Sequence, residues 1–237
     1  MDLGIEGKVA LVTGASAGLG YGVARALAEE GCGVAINARR RDVLERAAAK
    51  LPGDVLALPG DVTAPDAPAR LVAAVIERFA RLDILVANAG GPPQARALEV
   101  DDDVMSEALN ANLMTSIRLV RESVPHMRTA GWGRIVLSTS IAVKEPIPTL
   151  AYSNTARTGL WAWAKTAAAD LIDEGITLNL VCPGSHATDR ARELGLTGRM
   201  GDPADFGKVV AFLCSETAGF VSGAALQVDG AGIAGLL

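Results

Sequence analysis

Short runs of β-branched and aliphatic residues alternate with longer alanine-rich segments of helical period along the whole chain, and that alternation leaves few folds open. "KVALVTG" reads as a strand and "GYGVARALAEEG" as a helix closed by Gly31, and "GVAINA" with "RDVLERAAAKL" repeats the pair. "DVLALPGDV", "DILVANAG", "GRIVLSTS", "ITLNLVCPG" and "ALQVDG" supply further strands, and "APARLVAAVIERFARL" and "PADFGKVVAFLCSE" further helices. Two longer helices are expected, one over residues 100–130 and one over 155–174. Strict β–α alternation calls for a parallel sheet with helices on both faces. No proline-rich linker, low-complexity tract or internal repeat divides the chain. The expectation is one α/β domain over residues 1–237, built as a doubly wound parallel sheet.

Composition agrees. Of 237 residues, 50% are hydrophobic but only 4% aromatic, with 26 glycines, which suits a close-packed helix and sheet core better than a β-sandwich. A net charge of -5 argues against nucleic acid as a partner, because phosphate binding needs a basic face. Cys32, Cys182 and Cys214 are odd in number, widely spaced and set among apolar residues, as buried reduced thiols of a cytosolic protein are. With two histidines and scattered cysteines, no metal site is expected. The opening "MDLGIEGKVALVTG" lacks the layout of a signal peptide. Charged or polar residues break every apolar run well short of the ~20 residues of a membrane span. A soluble cytoplasmic protein without membrane partners is expected.

Between the first strand and the first helix, "VTGASAGLGYGVARAL" places Gly14, Gly18 and Gly20, with Leu19 between the last two. Glycines there let the backbone turn tightly and approach a pyrophosphate, which rests on the N–H groups and positive dipole end of the helix. Thr13 and Ser16 bring hydroxyls beside that position. A lone glycine triplet suits a structural turn equally well. After a strand and opening a helix, it favours a dinucleotide in a Rossmann-type fold.

The spacing, G-x-x-x-G-x-G, resembles that of the short-chain dehydrogenase/reductase family. Further marks follow in order: Asp61 and Val62 in "GDV", Asn88, Ala89 and Gly90 in "NAG", Asn112 in the long helix, "GRIVLSTS", Pro183 and Gly184 closing "NLVCPG", and "VDG" at 228–230. The resemblance spans essentially the whole chain. It implies that Asp61 and Val62 flank the adenine, that Asn88 to Gly90 lie against the cofactor, and that Pro183 to Thr188 border the nicotinamide. Residues 189–201 would form a short substrate lid, with Pro92, Pro93 and Gln94 on the opposite rim.

The end of the second strand chooses between cofactors. An acidic residue there accepts the ribose hydroxyls of NAD, whereas a cation accepts the 2′-phosphate of NADP. "VAINARRRD" carries Ala38 where the acid is expected, then Arg39, Arg40 and Arg41. Cations at a helix N-terminus oppose the macrodipole, so three in a row call for an anion. NADP is expected, held by Arg39 and Arg40, with NAD less favoured. Ala17 stands where many NADP-dependent members keep a basic residue.

The family's catalytic set is an asparagine, a serine, a tyrosine and a lysine. By resemblance Asn112 matches the asparagine, with Asn110 its neighbour and competitor, and Ser140 the serine. "AYSNTAR" then departs from Y-x-x-x-K. In the family the tyrosine follows the serine by about thirteen residues and the proline–glycine pair follows the lysine by about twenty-six. Counting from Ser140 and from Pro183 gives one answer: Ser153 and Arg157 occupy the tyrosine and lysine positions. Positions four apart share a helix face, whereas Tyr152 and Arg157, five apart, point about 140° from each other. Arg157 is expected to hold the nicotinamide ribose, and Ser140 with Ser153 the substrate oxygen. A proton would come from water past Asn112, or from Tyr152 if the helix starts irregularly. Lys144 reads as a solvated loop charge within reach of the site, His186 as a structural neighbour of the nicotinamide pocket, and Trp161 with Trp163 as core or subunit interface.

"NAGGPP", "KEP" and "SNxxR" resemble a divergent branch often described as 3-oxoacyl-(acyl-carrier-protein) reductase-like. The resemblance implies an NADP-dependent oxidoreductase interconverting a small-molecule carbonyl and alcohol, with carrier- or CoA-linked substrates among the candidates. The alternative is a cofactor-binding protein without net redox activity: a redox-neutral lyase, an isomerase or a binding protein. A homo-oligomer, by resemblance a tetramer, is expected. Leu113, Ile117, Leu160 and Trp163 place apolar side chains on more than one face of the long helices, and "GIAGLL" ends the chain.

Overall fold

Strands β1 (Val9–Val12) and β4 (Ile84–Ala87) are aliphatic throughout and wholly buried, as strands covered by helices on both faces must be. The computed structural model describes residues 2–235. These two strands sit at the centre of a seven-stranded sheet with β2 (Gly33–Ala38), β3 (Val55–Pro59), β5 (Gly133–Ser138), β6 (Ile176–Pro183) and β7 (Ala225–Val228). The spatial order is 3-2-1-4-5-6-7, and every pairing is parallel. After β3 the chain crosses back past β1 to β4. That reversal leaves a crevice outside the carboxyl ends of β1 and β4, where doubly wound sheets bind ligands.

Alternate side chains of each strand feed two cores. Ala10, Val12, Ile36 and Val86 pack under α1 (Gly18–Glu29) and α2 (Arg41–Ala48). Val9, Leu11, Leu85 and Leu137 face the opposite layer, beginning with α3 (Ala67–Phe79). The expected helix at 100–130 is present but has a widened turn. It runs as α4 (Asp102–Leu109), a π-helical turn over Asn110–Met114, and α5 (Thr115–Ala130). Both the N–H and the hydroxyl of Thr115 donate to the Asn110 carbonyl, which the extra residue would otherwise leave unpaired.

The second long helix, α6, spans Ala151–Leu171 and so begins four residues before the expected start at 155. Its first turn is anchored by a bridge: the Ala95 N–H donates to Thr149 O (2.9 Å) and the Ala151 N–H to Ala95 O (3.1 Å). Tyr152 and Ser153 therefore stand in regular helix. A five-residue helix, α7 (Asp189–Glu193), lies within the expected lid, whose base is pinned by the Ala187 and Gly201 N–H groups. Helix α8 (Pro203–Leu213) packs beside α1.

The helix faces expected to await a partner are largely satisfied internally. Leu160 is fully buried, and Leu113, Ile117 and Trp163 pack against the core. Apart from Met114 on the π-helical turn, the exposed large apolar side chains among the described residues lie elsewhere, including Phe212, Phe220 and Leu226 on and around α8 and β7. Of "GIAGLL", Leu236 and Leu237 lie outside the described residues. No helix among the described residues is long and apolar enough to cross a membrane, and no group of side chains among them could hold a metal ion.

Candidate active site

A cleft of about 850 Å³ opens at the strand reversal. Gly14 and Ser16 line one wall, Arg39, Arg40, Asp61 and Val62 one end, and Asn88, Ala89 and Gly90 the floor. The inner face of α4 and its π-helical turn, ending at Asn112, closes the other side. Gly14 takes a left-handed φ of 59°, and a Cβ there would stand 2.7 Å from Asn88 Nδ2. A Cβ on Gly20 would collide with the Gly14 carbonyl, so α1 meets the loop at a distance only glycine permits. Thr13 lies beneath: its hydroxyl donates to the Asn88 carbonyl (2.8 Å) and accepts the Asn88 N–H (2.9 Å). Thr13 and half-buried Leu19 thus hold the loop in place from below. Pro183, Gly184 and Thr188 are not part of this lining. Thr188 brings its methyl to 3.3 Å from a Cβ built on Gly18, so the lid starts beside the glycine loop.

At the arginine end, Arg41 is drawn back along α2 by Glu45 (3.3 Å), leaving Arg39 and Arg40 on the cleft. Asp61 accepts the Thr63 N–H and hydroxyl, which hold its carboxyl below the usual carboxylate range, with Arg39 adding to the effect. Asn37 is a residue the sequence reading passed over. Its amide donates to the Leu58 (2.8 Å) and Gly60 (3.1 Å) carbonyls, tying the end of β2 to the loop that carries Asp61. A buried asparagine inside the apolar run "GVAINA" was the available signal.

The altered motif has a definite geometry. Arg157 is only 6% exposed. Its Nη1 donates to the carbonyls of Ser138 (3.1 Å) and Thr139 (2.8 Å), and its Nη2 to the Ala89 carbonyl (3.4 Å) and Asn112 Oδ1 (2.8 Å). Burial pushes its pKa down to about 10, and the Cys182 thiol opposes the shift. The expected ribose contact is thereby reduced to one donor, the buried and unpartnered Nε. Asn112, one of whose amide hydrogens returns to Ala108 O (3.3 Å), is the asparagine that meets the arginine. Asn110 is spent on Thr63 and Arg118.

Ser153 is 5% exposed, and its hydroxyl has no hydrogen bond among the described residues. Ser140 Oγ accepts the Ala142 N–H (3.1 Å) and is half-buried. Tyr152 was a donor only if the helix began irregularly, and α6 begins regularly at Ala151. Its phenol oxygen accepts the Asp101 N–H at 2.7 Å, so the ring is committed to the start of α4 because α6 begins regularly. His186 donates from Nδ1 to the Gly184 carbonyl (3.1 Å) and packs edge-on against Phe206, as a structural histidine does.

Fold and cleft together define a doubly wound α/β protein of the Rossmann type. Relatives make the class specific. A family model described as enoyl-(acyl carrier protein) reductase matches residues 14–232. Dehydrogenase/reductase SDR family member 4 of Bos taurus is 32% identical over 250 residues, covering 98% of this chain and 89% of that protein. Versicolorin reductase 1 of Aspergillus parasiticus is 33% identical over 254 residues, covering 95% and 96%. The solved L-sorbose reductase from Gluconobacter frateurii, complexed with NADPH and L-sorbose, superposes with a TM-score of 0.91 at 32% identity, covering 97% and 98%. An actinorhodin polyketide ketoreductase variant with NADPH gives 0.89 at 30%, covering 94% and 96%. The chain belongs to the short-chain dehydrogenase/reductase family of oxidoreductases.

Proposed function

We propose that this protein is an NADP-dependent oxidoreductase interconverting a carbonyl and an alcohol on a small molecule, with 3-oxoacyl groups on a carrier or CoA among the candidates. The reading rests on one continuous cleft that leads from Arg39 and Arg40, past the glycine loop, to Asn112, whose amide oxygen accepts from the buried Arg157 behind it. The residues present fit the cofactor. Glycines stand where a pyrophosphate needs close backbone approach, and Arg39 and Arg40 line the cleft where Ala38 replaces an acid. Two structural relatives contain NADPH, which supports the same choice here. Gly18, Leu19 and Gly20 would carry the pyrophosphate, and Pro183, Gly184 and Thr188 would border the nicotinamide. The active unit is proposed as the single domain 1–237 in a cytoplasmic homotetramer, testable by light scattering.

The bound cofactor would supply hydride. Ser140 and Ser153 would hold the substrate oxygen by their hydroxyls. The fixed charge of Arg157, in a low-dielectric position, would favour negative charge developing there. Serine is far too weak an acid to protonate the oxygen at neutral pH, and the four Nη hydrogens of Arg157 are committed to protein acceptors. A second reading, cofactor binding without net redox, draws support from this same lack of an acid at positions 153 and 157. Titrating NADPH and NADH and then scanning carbonyl classes for NADPH oxidation separates them. Tighter NADPH binding with turnover supports the reductase, and binding without turnover on every class supports the second reading.

A further inference from the structure

We propose that Lys144 is the proton donor of this site, filling the role that Ser153 and Arg157 cannot. The inference rests on the carbonyl-reductase reading above. Elimination narrows the field first. The Tyr152 phenol is buried beside the start of α4, where its oxygen accepts the Asp101 N–H, the His186 ring is held between Gly184 and Phe206, and the Cys182 thiol is fully buried against Thr139. Placement then points to Lys144. Ser140 opens the short turn Ile141–Val143 and Lys144 closes it, so the lysine is carried by the same turn as the serine proposed to hold the substrate oxygen.

Lys144 Nζ lies 4.4 Å from the centre of the Trp161 ring, its one side-chain partner among the described residues. Trp161 follows Ser153 and Arg157 at four-residue spacing, so all three run along one side of α6. The neighbouring carboxylates are occupied: Glu145 accepts the Ala234 N–H (3.1 Å), and Asp229 the N–H groups of Ala231 (3.1 Å) and Ile233 (3.3 Å). The ammonium therefore rests on an indole face, a hold weak enough to release, on an arm that reaches roughly 6 Å from its Cα.

The chemistry balances. As hydride reaches the carbonyl carbon and forms the new C–H bond, the C=O π pair moves to oxygen. An N–H bond of Lys144 breaks, its proton forms the O–H bond, and the neutral amine regains a proton from water. The reduced nicotinamide is the reductant and the carbonyl is reduced to the alcohol. An ammonium is a competent acid toward an alkoxide, and a far stronger one than a serine hydroxyl.

The first test needs no turnover. In a Trp132→Phe, Trp163→Phe background of the full chain, Trp161 emission should show an alkaline transition that is smaller in Lys144→Met, the remainder belonging to Arg157 and the buried thiols. Cys182 from β6 lies within electrostatic reach of Lys144, and Glu145 adjoins it in the chain. Neither is removed by this substitution. A transition of unchanged size and midpoint in Lys144→Met overturns the placement. In steady state, Lys144→Met and Lys144→Arg should lower kcat by about a hundredfold or more, with NADPH affinity held within about twofold. Added methylammonium should restore Lys144→Ala by about tenfold, which a merely structural lysine would not allow. Retention of more than about a third of kcat in Lys144→Met overturns the proposal. Absence of carbonyl turnover in the wild type would instead bring down the reductase reading and this step with it, while the emission titration still reports where Lys144 sits.

Discussion

A guanidinium buried without a carboxylate must draw its stabilisation from dipoles, and Arg157 does so through three carbonyls and the Asn112 amide. Four acceptors match its four Nη hydrogens, so the arginine cross-links the ends of β4 and β5 to the π-helical turn. Lysine offers three donors from one atom and cannot reproduce this. Arg157→Lys should cost roughly 1–3 kcal/mol of stability through a buried acceptor left unpaired, read as a lower denaturant midpoint. An unchanged midpoint would mean that the cross-link contributes nothing. Tyr152→Phe should lose about 1 kcal/mol, the worth of one hydrogen bond at the start of α4, and leave kcat within a small factor. A hundredfold fall in kcat, about 2.7 kcal/mol in barrier, would make the phenol the acid after all. That Ser153 and Arg157 share one face of a helix was legible by counting, because helix spacing is rigid. That Arg157 spends its donors on the protein was not, since those carbonyls come from strands 18 and more residues away in sequence.

Among elements, the glycine loop shows how fully a backbone constraint is written in sequence. Gly14, Gly18 and Gly20 are required by left-handed φ values or by close approach, and each stands where the pattern put it. Gly20→Ala should force α1 off the loop, weakening both cofactors alike and costing on the order of 1–3 kcal/mol as an overpacked contact. Unaltered affinity and stability would show the loop to be softer than its geometry. Element order and both core faces were also readable, because the periods of strand and helix are enforced by burial. Two features were not. The π-helical turn at Asn110–Met114 has no unusual residue, and its extra residue is absorbed by Thr115 through a bond that no local pattern announces. The early start of α6 depends on pairing with Ala95, a contact set by tertiary folding.

For the whole molecule, the buried thiols set an alkaline limit. Burial pushes the Cys32 thiol from 9.0 up to about 12 and raises Cys182 and Cys214 as well. These groups stay protonated in the fold while the unfolded chain ionises, so their stabilisation is complete below pH 9.0 and fades as pH rises toward about 12. Arg157, with its pKa depressed to about 10, acts in the opposite sense above that pH. Stability should decline between pH 9.0 and about 12, and less steeply in Cys32→Ala, as denaturant midpoints across that range would record. Equal slopes would remove the thiol from the account. The central claim, that a short-chain reductase site works with serine and arginine in place of tyrosine and lysine, is met most directly by following NADPH oxidation under single turnover across carbonyl classes. The account predicts oxidation with at least one class and a clear preference over NADH. Tight NADPH binding with no oxidation on any class would contradict it.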